Sequence, residues 1–169
     1  GALAARAGDH VDFLAHDQVA RAAVFGLSRS EVLPKLVDAM VALQPELIES
    51  NSAAMVSEIS RRTRRRALVV LLTDLNSSAL EEGLLQVLPQ LAARHQVIIA
   101  AVSDPRVEEM SAGRSDAATV YGAAAAERAR NDRRHLAGRL RNLGIEVVDA
   151  GPAELAPALA DKYLAMKAS

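Results

Sequence analysis

The chain has 169 residues, is 50% hydrophobic and carries 20 basic against 21 acidic side chains, for a net charge of −1. That is enough for one domain with a substantial core, and near-neutrality withholds the overall positive field that gathers DNA, RNA or an anionic membrane. With no Cys, no Trp, two Phe and two Tyr, the chain has no disulfide, thiolate metal site or Cys nucleophile, and few stacking platforms for single-stranded nucleic acid or sugars. The lack of Cys fits a reducing compartment. No apolar run approaches the ~20 residues of a membrane span and no signal peptide is visible, so a cytoplasmic chain without membrane contact is expected.

In chain order, Gly1 to Asp9 reads as the last turns of a helix closed by Gly8, the remainder of which would precede residue 1. Val11–Ala15 and Val19–Phe25 read as strands of a hairpin around His16-Asp17-Gln18, although the usual Asn-Gly or Asp-Gly turn is absent. Ser30 is expected to cap a helix over 31–43, where Val32, Leu33, Leu36, Val37, Met40 and Val41 recur at helical spacing. Glu49-Ser50-Asn51-Ser52 is rich in capping side chains and opens a helix over 52–63 that ends in the basic run Arg61-Arg62-Thr63-Arg64-Arg65-Arg66. Residues 67–73 read as a strand buried on both faces, which delivers Thr73 and Asp74 at its carboxyl end. Ser78-Ala79-Leu80-Glu81 is a capping box that starts a helix to about Arg94, with Leu84, Leu85, Leu88 and Leu91 on one face. Gln96–Val102 is the next strand, and Asp104-Pro105 starts a short helix. Residues 116–143 read as helix, interrupted near Gly122 and ended by Gly144. Ile145–Val148 is the last strand, and Gly151-Pro152 leads into a helix at 153–166.

Three apolar strands separated by helices imply a mostly parallel sheet with helices on both faces, a Rossmann-like α/β architecture in a single domain over 1–169. No Gly-x-Gly-x-x-Gly, phosphate-loop or Gly-x-Ser-x-Gly motif follows any strand. Asp74 therefore stands as the principal acid: it either faces a ligand beyond the sheet's carboxyl edge or begins the turn into the next helix. His10, His16, His95 and His135 are dispersed with no ligand-pair spacing and read as surface or second-tier groups. Arg61–Arg66 reads as a solvated helix end, with phosphate or nucleic-acid binding as the alternative. Arg128, Arg130, Arg133, Arg134, Arg139 and Arg141 fit an exposed helix face with Glu127 and Asp132 as local partners, or a basic docking face.

The stretches 7–17, 46–51, 65–75, 94–105, 143–150 and 159–168, in that order, resemble the carboxyl-terminal part of a von Willebrand factor A-like domain. More closely, they resemble the bacterial family known as domain of unknown function fifty-eight, whose members accompany MoxR-type AAA+ ATPases. The resemblance implies a metal-ion-dependent adhesion site built from three loops. Its first loop, Asp-x-Ser-x-Ser, is absent from these residues, so the match reads as a domain truncated at its N-terminus. Ser50 stands where the second loop supplies Thr, and Asp74 where the third supplies Asp. Mg²⁺ demands six oxygens, so one hydroxyl and one carboxylate form an incomplete site. No cofactor is expected in this chain, while Mg²⁺ belongs to the intact domain.

The resemblance thus implies a noncatalytic protein-interaction module, with Ser50, Asn51 and Asp74 lining the partner-facing edge and a MoxR-type AAA+ ATPase as partner. A phosphoryl-transfer hydrolase using Asp74 is the alternative. Asp74-Leu75-Asn76-Ser77-Ser78 is similar to the haloacid-dehalogenase motif, but Asn76 replaces the second acid. A phospho-acceptor receiver is disfavoured because Asp9 and Asp12 flank the first strand's start instead of clustering at its end. The resemblance also puts a missing strand between 11–15 and 67–73. Either those two strands close on each other or a second copy fills the gap, and a homodimer is expected.

Overall fold

The computed structural model describes residues 1–26, 30–44, 50–73, 75, 83–103 and 117–168. Its internal contacts divide the chain into two compact units, Gly1–Arg62 and Thr63–Ser169.

The first unit begins with α1 (Ala2–Arg6), which Gly8 closes at φ +85°. There the Gly8 and Asp9 amides donate to the carbonyls of Ala5 and Ala4, an ending that needs a residue free of Cβ strain. Strands β1 (Phe13–His16) and β2 (Ala20–Val24) form the expected antiparallel hairpin, β1 shifted toward the turn and β2 one residue shorter at each end than the sequence reading. Asp17 supplies the missing turn signal. Its Oδ1 accepts the Val19 amide at 3.1 Å and its Oδ2 accepts Arg21 Nε at 2.5 Å, so a side chain does what Asn-Gly would otherwise do. These donors, the Val19 amide first and Arg21 second, hold the Asp17 carboxyl below the usual range. At the hairpin's open end Asp12 Oδ1 accepts the Gly26 amide at 2.9 Å, which takes Asp12 out of the strand.

Helix α2 (Val32–Val41) does not use Ser30 as its cap. Glu31 leads it without a side-chain cap, and its carboxylate pairs with Lys35 at 2.9 Å. Ala5 and Val32 form the buried centre of this unit, with Val11, Val24 and Leu36 packed against them. Helix α3 (Ser52–Arg62) follows, with Val56 buried.

The second unit holds a three-stranded parallel sheet in the order β3 (Leu68–Leu72), β4 (Gln96–Val102), β5 (Glu146–Ala150). The strand buried on both faces is β4, where Val97 to Ala101 are at most 2% exposed. Strand β3 is instead an edge strand with Val70 and Leu72 exposed, so Asp74 follows an edge and not a central strand. Among the described residues β1 and β2 form a two-stranded sheet of their own.

Helix α4 (Leu85–Ala92) packs on β4, α5 (Ala117–Asn142) on β5, and α6 (Leu155–Lys167) on both. The expected capping box at 78–81 and the short helix at 104–105 lie outside the described residues. Helix α5 runs without a break through Gly122. Glycine weakens a helix by only about 1 kcal/mol, and a helix of 26 residues has many other bonds to set against that. Gly144 (φ +73°) ends it, its amide donating to Arg141 O and the Ile145 amide to Leu140 O. This ending buries Ile145 just before β5, so the strand itself starts one residue later than the apolar run and extends through Asp149 to Ala150. Among the described residues no helix is long and apolar enough to cross a membrane.

Candidate functional site

Ligands of open parallel sheets meet the carboxyl ends of the strands. Two amides extend the ladder there: Thr73 N–H donates to Ala100 O at 3.1 Å, and Ser103 N–H to Ala150 O at 2.9 Å. Arg133 of α5 reaches this edge. Its Nη2 lies 2.6 Å from Asp149 Oδ1 and 3.3 Å from Val102 O, and its Nε lies 3.2 Å from Asp149 Oδ2. One guanidinium thus clamps the carboxyl ends of β4 and β5 to the helix, using the fork geometry that suits a carboxylate.

The sequence reading paired Arg133 with its helical neighbours, and the structure corrects this. Arg133 pairs across to Asp149, and Glu127 lies 3.7 Å from Arg130 and 3.8 Å from Arg134. The signal was present but unused: position 133 shares a helix face with Leu136, Ala137 and Leu140, all buried. An Arg among core-facing positions calls for a partner beyond its own helix.

Ser50 is exposed just before α3. Asn51 is the helix cap, its Oδ1 accepting the Ala54 amide at 2.9 Å while its own amide donates to Asp17 O at 2.9 Å. Its side-chain oxygen is therefore committed to the helix start and the residue pins α3 to the hairpin turn. Asp74 lies outside the described residues. Among the described residues no group of three His, Asp or Glu is placed to hold a metal ion.

The basic run begins with engaged side chains. Arg61 Nη2 lies 2.7 Å from Glu58 Oε2, and Arg62 Nε bonds Glu58 Oε1 while its guanidinium stacks 4.2 Å from the centroid of the Phe25 ring. Arg61 first, then Arg62, hold the Glu58 carboxyl below the usual range. Arg64, Arg65 and Arg66 are exposed.

Two features were not foreseen. His95, read as a surface or second-tier group, is 4% exposed, with both ring nitrogens lacking a hydrogen-bond partner among the described residues. The apolar set on α2, read as a core stripe, sends only Val32 fully inward. Leu33, Val37, Met40 and Val41 are 58%, 50%, 54% and 79% exposed. Spaced four, three and one residues apart, they form one unburied stripe along the helix. Helical periodicity reveals such a stripe but not whether anything covers it.

A family profile described as "Protein of unknown function DUF58" matches residues 1–140. The stretches at 7–17, 46–51, 65–75 and 94–105 fall inside that span, while those at 143–150 and 159–168 lie beyond it. No curated protein and no solved structure is significantly similar to the chain. With most of its length under one profile, the chain belongs to the DUF58 family, the assignment to which its motif order pointed.

Proposed function

We propose that the chain is a noncatalytic protein-interaction module of the von Willebrand factor A-like kind, working with a MoxR-type AAA+ ATPase. The observation that carries the interaction reading is the α2 stripe: large apolar side chains left contiguous and exposed on a helix mark surfaces that other proteins cover. The family resemblance supplies the partner class and the adhesion-site geometry. In that reading Ser50, Asn51 and Asp74 line the partner-facing edge. The Ser50 hydroxyl and Asp74 carboxylate contribute two oxygens toward a hard cation, and the other ligands come from outside these residues and from the partner's acid.

Two oxygens are too few for a cation that prefers six. Calorimetric titration of the chain with Mg²⁺ or Mn²⁺ should therefore show weak binding or none. Sub-micromolar affinity abolished by Asp74→Ala would overturn the incomplete-site reading, because it would require a full set of ligands within the chain itself.

A further inference from the structure

Helix α5 divides cleanly by face. Ala126, Leu136, Ala137 and Leu140 are buried, and Arg133 on the same side holds Asp149. On the opposite side an open groove of about 450 Å³ is lined by Asn131, Arg134, His135, Gly138, Arg139 and Asn142. Among the described residues no acidic side chain lines it. Arg134 is oriented there, its Nη1 donating to Asn131 Oδ1 at 3.0 Å; its ion pair with Glu127 is long at 3.8 Å and the side chain remains 61% exposed. Gly138 lies at its centre: apart from its chain neighbours and the helix's own backbone, no described atom lies within 4 Å of where a Cβ would stand, so a side chain there would meet open space. The lining runs from Asn131 to Asn142, roughly 16 Å of helix.

We propose that this outward face of α5 is a docking groove for an acidic segment of a partner protein. Charge complementarity selects the sign, since the described lining carries two guanidiniums and no carboxylate, and the one acid near Arg134, Glu127, stands 3.8 Å away. The neutral lining selects a peptide. Asn amides both donate and accept, which matches peptide backbone, whereas phosphates only accept. Among the described residues the groove holds no aromatic ring on which a base would stack, and the chain's net charge of −1 provides no wider field for a polyanion. The proposal uses none of the α2 stripe, Ser50, Asn51 and Asp74, and does not depend on the adhesion-site reading.

Fluorescence anisotropy at low ionic strength tests it, with a labelled polyglutamate peptide and an oligothymidylate of equal charge as probes. The peptide should bind more tightly than the oligonucleotide. Arg134→Glu with Arg139→Glu should weaken peptide binding at least about tenfold. Arg64→Glu with Arg65→Glu, an equal charge change elsewhere, should leave it within about twofold. Gly138→Leu adds no charge but fills that open space. It should lower peptide affinity severalfold while raising the melting temperature, because leucine is a better helix former than glycine. Absence of peptide binding, indifference to the groove substitutions, or an equal loss in the Arg64/Arg65 variant would overturn the proposal. Tighter oligonucleotide binding that is lost in the Arg134/Arg139 variant would overturn it in favour of a nucleic-acid face.

Discussion

Leu140→Ala should lower the stability of the Thr63–Ser169 unit by about 2–5 kcal/mol. Leu140 is 0% exposed on the inner face of α5, in line with Leu136 and Ala137. Its carbonyl also accepts the Ile145 amide at 3.1 Å, so the backbone around it is held by the helix ending and has little freedom to collapse into a cavity. The loss is a large share of the roughly 5–15 kcal/mol typical of a domain. Urea denaturation followed by circular dichroism measures it. Leu33→Ala is the matched control: its side chain is 58% exposed, and the change should stay within about 0.5 kcal/mol. A Leu140→Ala loss as small as that of Leu33→Ala would mean that α5 does not pack as described.

His95→Leu should remove a pH-dependent component of stability. The imidazole is buried with both nitrogens unpartnered among the described residues, and burial first, then the adjacent Arg94, hold its pKa below the usual value near 6.5. The unfolded chain therefore binds a proton at His95 more readily than the folded chain does. The stability this group contributes is fully present above about pH 6.5 and is lost as pH falls toward the depressed folded-state value. Denaturation midpoints of wild type should fall between pH 7.5 and 5.5 more steeply than those of the variant. Near neutral pH His95→Leu should be no less stable, since it removes a buried polar ring that makes no ring hydrogen bond among the described residues. Parallel pH profiles for the two proteins would contradict the buried neutral imidazole.

Much of the secondary structure was legible because it rests on local chemistry. Gly8 and Gly144 closed helices where positive φ was needed, Asn51 lay within the capping cluster at 49–52, and the three apolar runs became parallel strands. What was lost depends on neighbours far along the chain. Residues 67–73 are apolar enough for a strand covered on both faces, yet sheet order decides which strand is central, and β4 takes that place while Leu72 of β3 is 68% exposed. The partner of Arg133 was hidden for the same reason, since Asp149 lies 16 residues away and meets it only after α5 has turned back into β5. Burial of His95 was equally out of reach, because a lone histidine between a helix and a strand carries no periodic signal. Of the partner-facing residues, Asn51 was legible as a capping side chain, and its second bond to Asp17 was not.

The interaction reading is tested most directly by titrating a purified MoxR-type AAA+ ATPase with the whole chain in a calorimeter. The account predicts a saturable complex that Val37→Asp, a charge placed in the exposed α2 stripe, weakens at least about tenfold, and that Asp74→Ala also weakens. No heat of binding, or one affinity shared by wild type and both variants, would contradict it.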